Sequence, residues 1–433
     1  MLALVLMVLL LVLGFPMLIS LLGGTLVLLL GNFRQVAPEV VVQQMIGGVK
    51  PAALLAVPML ILAADLMTGG QTAERLLGLV ESFVGHYRGG LAVTSAVACT
   101  LFGALSGSTQ ATVAAIGKPL RPRMQKAGYP DSFINALLIN ASDVALLIPP
   151  SIAMIVYGVV SGTSIGELFL AGIGPGLLIL LAFSLYSVIA AKRLDVPMLP
   201  KSSPGQRFQA VLQALPALGL PVIVIGGIYS GFFSPSEAAS MSVLYALILE
   251  VFVFRQLSLA ELPRIALSTG LVTGVVFVLV GAGAAFSWVI SFAQLPSHLI
   301  SVLGLSATSG YTTIMLTIGA AYFVGCMFVD PIVVILILTP VFHPIAIAAG
   351  IDPVLVGVLV TLQVAIGSAT PPFGCDIFTA MAIFGERYLD VIRGTPPFIC
   401  ILIVISGLVV AFPALSLLKI LSDEVQRQEE RSQ

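Results

Sequence analysis

The stretch FGALSGSTQATVAAIG, residues 102–117, decides the fold of this chain. It places Ser106, Gly107, Ser108, Thr109 and Gln110 in succession inside a run made of Ala, Val, Leu and Ile. In a membrane protein, non-helical backbone and hydroxyl groups are tolerated at this depth only where protein or a water-filled cavity surrounds them. The stretch therefore predicts a break in a membrane helix that the rest of the protein encloses.

The composition supports a membrane location. Apolar residues make up 58% of the 433 residues and charged residues only 9%, with a mean hydropathy of +1.12. Soluble domains carry about 25% charged residues. We therefore predict an all-α polytopic membrane protein. The net charge of −1 gives no sign of nucleic-acid binding, and the four cysteines, which lack paired spacing, are interpreted as core residues.

Repeated apolar segments indicate the membrane helices, since about 20 apolar residues cross a hydrocarbon core of about 30 Å. The predicted segments are 1–30, 46–67, 91–117, 133–160, 168–191, 215–231, 237–254, 266–290, 311–339, 354–382 and 396–418. The polar stretch 192–207, with four basic residues, has the composition of a linker near the middle of the chain. A linker at this position indicates that the two halves of the chain are related by an internal repeat.

An internal repeat appears when the chain is shifted by 222 residues against itself. Glycine or proline then recurs at seven positions without a gap, pairing Gly103 with Gly325, Pro122 with Pro344, Gly128 with Gly350, Pro149-Pro150 with Pro371-Pro372, Gly172 with Gly394 and Pro175 with Pro397. These residues set backbone breaks, so the pattern of interruptions is what recurs.

The basic residues indicate that the two repeats have opposite orientations. Segment 118–126 has four Lys or Arg residues and its partner 340–348 has none, whereas 161–171 has none and its partner 383–393 has two. Positive charge marks the cytoplasmic side of a membrane protein. The sequence therefore predicts inverted-topology repeats.

Two kinds of interrupted helix follow from this orientation. Because both flanks of 91–117 are basic, we predict a re-entrant hairpin with its tip in the opening stretch, and a second hairpin at 311–339 with its tip near 325–331. Double prolines predict broken helices at 133–160 and 354–382. The prediction is therefore nine spans, the two broken helices among them, plus the two hairpins. This arrangement is typical of secondary transporters, in which broken helix ends bind ions and anionic substrates.

The domain organisation follows from the same pattern. We predict N-terminal scaffold helices, a first transport repeat, a linker with central scaffold helices, a second transport repeat and a polar tail, at residues 1–90, 91–191, 192–290, 291–418 and 419–433.

Several of these motifs resemble one family over nearly the whole chain. They are FGALSGSTQATVAAIG, KAGYPDSFINALLINAS, IPPSIAMIVYGVVSGTSIGELFLAGIGPGLL, GIDPVLVGVLV and AIGSATPPFG, and they are similar to the large membrane subunit of TRAP (tripartite ATP-independent periplasmic) transporters. The resemblance implies an elevator-type symporter of the bacterial inner membrane, not an enzyme. Sodium ions, with no other cofactor, would drive uptake of a small carboxylate, a dicarboxylate or sugar acid. The implied partners are a periplasmic binding protein and a small four-helix membrane subunit.

The resemblance also implies the site residues. The first sodium site would use Ser106, Gly107, Ser108, Asp143 and Ala145, and the second would use Gly325, Gly367 and Thr370. The substrate would lie between the two hairpin tips, against Ser108, Thr109, Pro150, Ser151, Asp330 and Pro372.

Some positions depart from the family pattern. Asp143 and Ala145 stand where a small hydroxyl residue and a glycine are usual, and Asp376 stands where Asn is common. An acidic side chain in a membrane segment has a high free-energy cost, so a functional role is the default interpretation. Asp143 would strengthen a cation site or bring a proton into the coupling. The alternative for these acids and for Asp330 is a helix cap, and for the hydroxyls of the first tip it is helix packing.

Other functions compete with this interpretation. A related single-chain sodium/dicarboxylate symporter would have the same hairpins without a binding protein. An intramembrane aspartyl protease would need two acids that share a proton, and the repeat brings the segments of Asp143 and Asp376 close together. The paired hairpins argue against a protease, because it needs neither of them. A channel would need rings of polar residues along a pore, which the sequence does not show.

Overall fold

The structure is a computed structural model of the 433-residue chain. It describes residues 6–7, 9–10, 13, 15–33, 35–294 and 309–416. The predicted polar tail, residues 295–308 of the second repeat and most of the start of the first predicted segment lie outside the described residues. The described residues form helices joined by turns and short coils, so the prediction of an all-α protein is confirmed.

The described part of the N-terminal region includes the helices α1 (Met17–Asn32), α2 (Glu39–Val49), α3 (Ala56–Gly69) and α4 (Thr72–Val84). The predicted segment 46–67 is wrong as one helix, because Pro51 ends α2 and starts a 3₁₀ turn before α3. Helix α4 was not predicted. It is amphipathic, and its buried face includes Leu76, Leu77 and Val80.

The first repeat contains a hairpin and a broken helix. The hairpin consists of α5 (Gly90–Ser106) and α6 (Thr109–Lys126), which pack against each other. Helix α6 continues beyond the predicted end at residue 117, and its last turn carries Arg123 and Lys126, which favour a helix C-terminus. The broken helix consists of α7 (Asp131–Ser142), a 3₁₀ turn over Asp143–Leu146 and α8 (Ile152–Ser161).

The central region contains α9 (Ile165–Arg193), α10 (Pro204–Tyr229), α11 (Pro235–Leu247) and α12 (Leu262–Phe292). A π-helical segment, Ile248–Val253, extends α11. The linker is shorter than predicted and spans only residues 194–203. It ends where Ser203 and Gln206 form a capping box that starts α10.

The second repeat has the same construction as the first. Its hairpin consists of α13 (Tyr311–Cys326) and α14 (Pro331–Ala348), and its broken helix of α15 (Pro353–Ser368) and α16 (Cys375–Phe384). The short helix α17 (Tyr388–Ile392), the apolar helix α18 (Pro396–Ala411) and a 3₁₀ turn over Pro413–Ser416 complete the described chain.

The repeat predicted from the sequence corresponds to matching breaks in the structure. Gly128 follows α6 with a φ of +87°, and Gly350 follows α14 with a φ of +74°. The prolines Pro149-Pro150 and Pro371-Pro372 lie in the breaks of the two broken helices, and both Pro-Pro bonds are cis. The interruptions therefore recur in space as they do in sequence.

The broken helices form the centre of the molecule. All residues of α15 from Val354 to Ser368 are buried, and so are those of α7 from Phe133 to Ser142. Among the described residues, the helices long and apolar enough to cross a membrane are Ala52–Gly69, Ile165–Arg193, Pro204–Tyr229, Pro235–Val253, Leu262–Phe292 and Pro331–Ala348. Most of the other predicted segments contain shorter apolar helices of 10–17 residues.

Candidate functional site

The tip of the first hairpin is shaped by Gly107. Its φ of +62° is in the left-handed region, and its N–H donates to Gly103 O at 2.8 Å, which ends α5. A Cβ at this position would lie 2.6 Å from Pro150 O. Ser108 then caps α6 by accepting a hydrogen bond from the N–H of Ala111 at 3.4 Å. Glycine is needed here for both conformation and space.

The hydroxyl groups of this tip are inside the protein. Ser106 is fully buried, and its Oγ lies 3.1 Å from Thr112 Oγ1 and donates to Ser108 O at 3.2 Å. The carbonyl of Gly107 accepts a hydrogen bond from the N–H of Ile152 at 3.4 Å. The tip is therefore attached to the break of the first broken helix.

The first break carries a buried acid. Asp143 starts the 3₁₀ turn, is 1% exposed and accepts a hydrogen bond from Ser368 Oγ at 3.3 Å. Ala145 packs on Gly103 of the hairpin. The contact is so close that a Cβ added to Gly103 would lie 2.6 Å from the Cβ of Ala145. Ser151 caps α8 by accepting from the N–H of Met154 at 3.3 Å.

The second tip consists of residues 327–330, between α13 and α14. Asp330 caps α14 through its Oδ1, which accepts from the N–H of Ile332 at 2.9 Å. The predicted role of Gly325 assumed that it lies in the tip. In the structure it lies in the last turn of α13. Its carbonyl accepts hydrogen bonds from Phe328 and Val329, at 3.1 and 3.0 Å.

The second break lies against this tip. Gly367 packs so closely on Cys326 that there is no space for a Cβ. Its carbonyl accepts from the N–H of Thr370 at 3.1 Å, and Thr370 Oγ1 donates to Ile366 O at 2.6 Å. The N–H of Phe373 donates to Met327 O at 3.0 Å. This hydrogen bond attaches the tip to the break, as in the first repeat.

The beginning of α16 lies against both tip-and-break units, each of which consists of one hairpin tip and the break attached to it. Thr109 Oγ1, in the first tip, donates to Asp376 Oδ1 at 2.6 Å, and Gln110 Nε2 lies 3.5 Å from Cys375 Sγ. Because Phe373 contacts the second tip, residues 373–376 lie between both tips. Pro372, predicted as a substrate contact, accepts a hydrogen bond from the Tyr388 hydroxyl at 2.8 Å through its carbonyl.

Asp376 was not among the residues predicted to bind a ligand. The repeat offset pairs Thr109 with position 331, so nothing in the spacing indicated a contact with residue 376. Its charge in an apolar segment and its departure from the family pattern were the available signals.

The site offers two kinds of chemistry. Four helices begin at it, α6, α8, α14 and α16, and their N-termini favour a negative group. Hydroxyl and carbonyl oxygens at the breaks offer uncharged ligands for a small cation. The described residues contain no group of three or more His, Cys, Asp or Glu side chains arranged for a metal ion.

Paired hairpins and paired broken helices that meet at one polar site define a helical membrane protein of the transporter class. The sequence matches, over residues 4–415, the family model described as "Tripartite ATP-independent periplasmic transporter, DctM component". The chain therefore belongs to this family and is the large permease subunit of a TRAP transporter.

Similar proteins agree with this assignment. The chain is 61% identical to the ectoine/5-hydroxyectoine TRAP transporter large permease protein UehC of Ruegeria pomeroyi, covering 95% of this chain and 96% of that protein. It is 60% identical to the ectoine TRAP transporter large permease protein TeaC of Halomonas elongata, covering 94% and 96%. The C4-dicarboxylate TRAP transporter large permease protein DctM of Pseudomonas aeruginosa is 38% identical, covering 84% and 85%.

A solved structure shares the fold. The YdaH transporter of Alcanivorax borkumensis aligns with a TM-score of 0.60 and 18% identity, covering 86% of each chain. Family membership and the apolar helices place the chain in the bacterial inner membrane as a multi-pass protein. They also assign it to a transporter component rather than to the protease alternative.

Proposed function

We propose that this subunit imports ectoine or a closely similar solute, driven by sodium. The resemblance alone favoured a dicarboxylate or a sugar acid. The two ectoine permeases share 61% and 60% of their residues with this chain over nearly their full length, whereas the dicarboxylate permease shares 38%. This difference supports ectoine over a dicarboxylate.

The chemistry of the site supports a zwitterionic solute. Ectoine is a small cyclic amidine with a carboxylate, so at neutral pH it carries one charge of each sign. Four helix N-termini suit its carboxylate. Asp330, half-buried at the second tip, supplies a negative charge for the cationic ring, since only its Oδ1 is used in capping α14. The solute would then lie between the tips, against Ser108, Thr109, Pro150, Ser151, Asp330 and Pro372.

Two sodium ions would bind at the two tip-and-break units. In the first, the carbonyl of Gly107 and the hydroxyls of Ser106 and Ser108 lie beside the turn that carries Asp143 and Ala145. In the second, the carbonyls of Gly325 and Gly367 accompany the hydroxyl of Thr370. The carbonyl of Gly107 accepts a hydrogen bond from Ile152 and has a further lone pair for a cation. The carbonyl of Gly325 already accepts two hydrogen bonds, so it would have to release one of them to ligate the ion.

The partners and the motion belong to the same proposal. The family description names a tripartite system, so a periplasmic binding protein would deliver the solute and a small four-helix membrane subunit would support the scaffold. The two hairpins and broken helices would move together against the scaffold as an elevator. The hydrogen bonds from Ile152 to Gly107 and from Phe373 to Met327, which tie each tip to its break, are the observation that carries this proposal.

The test is uptake into proteoliposomes that contain this chain with its small membrane subunit, with purified binding protein outside. Labelled ectoine and labelled succinate are compared with an inward sodium gradient, with equal sodium on both sides and with potassium replacing sodium. We expect ectoine to accumulate only with the gradient and binding protein, and succinate not to accumulate. Uptake that is independent of sodium, or that favours succinate, contradicts the proposal.

A further inference from the structure

An apolar groove lies between α5 and α9, two helices that pack against each other. Its volume is about 290 Å³, and its walls include Val93 on α5 and Leu181, Leu185 and Val188 on α9. Leu181 and Leu185 are 67% and 61% exposed, so the described part of the protein leaves most of their surface uncovered. Because α9 is long and apolar enough to cross the membrane, the groove opens toward the lipid.

The stripe of α9 that lines the groove continues into a basic residue. Leu181, Leu185, Val188 and Lys192 follow one another at steps of four, three and four residues, which places them on one face of the helix. Lys192 lies in the last turn of α9 and is exposed. A cationic end of a membrane helix marks the cytoplasmic side. The apolar stripe therefore leads to an ammonium group at the predicted cytoplasmic surface.

The length of this stripe suits an acyl chain. From Leu181 to Val188 the helix rises by about 10 Å, at about 1.5 Å per residue. A hydrocarbon core is about 30 Å thick, so each leaflet contributes about 15 Å. The groove therefore covers the part of one leaflet that lies next to the headgroups.

A second cation lies at the mouth of the groove, in the connection between α4 and α5. Gly89 in this connection has a φ of +78° and packs on α9 so closely that a Cβ would lie 3.0 Å from the Cα of Val188. This contact places Tyr87 and Arg88 at the edge of the groove. The Arg88 guanidinium lies 4.0 Å from the Asp195 carboxylate, and both side chains are more than half exposed. Such a pair contributes little, so the guanidinium has donors for another anion.

These features match the parts of a single lipid molecule. The apolar walls suit an acyl chain, and an arginine and a lysine at the mouth suit a phosphate group. Tyr87 is exposed beside them, and a tyrosine ring is typical of the headgroup level. The cytoplasmic leaflet carries anionic lipids, to which basic residues near the surface are attracted. Charge complementarity therefore favours an anionic phospholipid over an uncharged apolar partner.

We propose that the groove between α5 and α9 binds one anionic phospholipid of the cytoplasmic leaflet. An acyl chain lies along Leu181, Leu185 and Val188, and the phosphate binds Arg88 and Lys192. Arg88 belongs to the connection that joins the N-terminal helices to the first hairpin, whereas Lys192 ends α9. The bound phosphate therefore links this junction to the end of the first repeat.

The test measures lipid preference in the groove itself. In a Trp288→Phe background, which removes the only tryptophan of this chain, Leu185→Trp places a fluorescent reporter on the groove wall. The protein is reconstituted with its small membrane subunit in phosphatidylcholine vesicles, and the reporter is quenched with brominated phosphatidylglycerol or brominated phosphatidylcholine. The signal of the Trp288→Phe chain under the same conditions is subtracted. We expect phosphatidylglycerol to bind at least about fivefold more tightly than phosphatidylcholine.

Two arginine variants locate the charge that sets this preference. Arg88→Gln should lower the preference by about fivefold, and Arg88→Lys should keep most of it. Arg393→Gln is the matched control, because Arg393 is exposed just before α18, a helix that packs on α9, but does not line the groove. We expect the control to keep the preference of the parent protein.

Three results would overturn the proposal. Equal quenching by the two lipids would mean that the groove holds any lipid. An equal loss in Arg88→Gln and Arg393→Gln would mean that general surface charge attracts the lipid. Quenching that is present for this chain alone and disappears with the small membrane subunit would assign the groove to that subunit. If Leu185→Trp does not fold, Leu181→Trp gives the same measurement, since Leu181 lines the same groove.

Discussion

The two tip-and-break units share their construction but differ in how much of the tip is covered. In each, a capping residue starts the second helix of the hairpin, Ser108 in one and Asp330 in the other. The first tip is lined by buried hydroxyls, whereas the second exposes Phe328, 49% of whose surface is accessible. The first tip therefore keeps its hydroxyl groups inside the protein, whereas the second tip leaves an aromatic side chain accessible beside its charged cap.

A close helix contact is conserved between the units even though its residues are not. Ala145 packs on Gly103 in the first unit, and Gly367 packs on Cys326 in the second. The repeat offset pairs Ala145 with Gly367. The glycine that allows the close approach therefore lies in the hairpin in the first unit and in the broken helix in the second.

The largest effect is expected at the first tip. Gly107→Ala puts a Cβ 2.6 Å from Pro150 O and forces a side chain into a φ of +62°, at a cost of about 1–2 kcal/mol before the clash is counted. We expect the rate of sodium-driven uptake to fall by about tenfold or more. Gly128→Ala is the matched control, because Gly128 has a φ of +87° but open space around it. Equal losses in both variants would mean that backbone strain alone matters.

The second tip provides an intermediate effect through its charge. Asp330→Asn keeps a good helix cap and removes the negative charge. Hydrogen bonds to charged groups contribute about 1.5–3 kcal/mol, so we expect about a tenfold higher ectoine concentration for half-maximal uptake.

The control for this charge is Asp352→Asn, since Asp352 caps α15 in the same way through the N–H of Val354 at 2.8 Å. Uptake kinetics should be unchanged in that variant. An unchanged ectoine dependence in Asp330→Asn as well would remove Asp330 from the proposed site.

The smallest effect is expected at the far end of the first hairpin. Arg123 pairs with Glu81 of α4 at 3.1 Å, while the equivalent stretch 340–348 has no Lys or Arg to form such a pair. Partly exposed ion pairs contribute about 0–1 kcal/mol. Arg123→Gln should change the uptake rate by less than about fivefold. A larger loss would show that this contact controls the motion of the hairpin against the scaffold.

The breaks could be predicted from the sequence because glycine and proline impose local constraints. Gly107 and the two double prolines end helices through their own backbones, whatever surrounds them. Helix α4 was missed because no local constraint marks it, and the charged residues Glu74 and Arg75 are typical of a loop. Only the apolar spacing of residues 76, 77 and 80 indicates a helix.

The centre of the site could not be predicted in the same way. The contact of Thr109 with Asp376 joins residues that the repeat does not pair, and it depends on how the two units pack in three dimensions. Gly325 was assigned to a tip because the second hairpin was located by the 222-residue offset, and such an offset does not set a helix end to within a turn. The proposal of ectoine rather than a dicarboxylate comes from comparison with similar proteins and not from any residue pattern.

The central claim is that each unit holds one sodium ion, and the sodium dependence of ectoine uptake tests it most directly. Ser108→Ala and Thr370→Ala each remove a hydroxyl from one unit, and Ser230→Ala removes an exposed hydroxyl elsewhere. In the wild type and Ser230→Ala we expect a Hill coefficient for sodium approaching about two, the number of proposed sites. In each of the other variants we expect a coefficient near about one and a higher half-maximal sodium concentration. An unchanged sodium dependence in both would contradict the account, because the breaks would then be structural only.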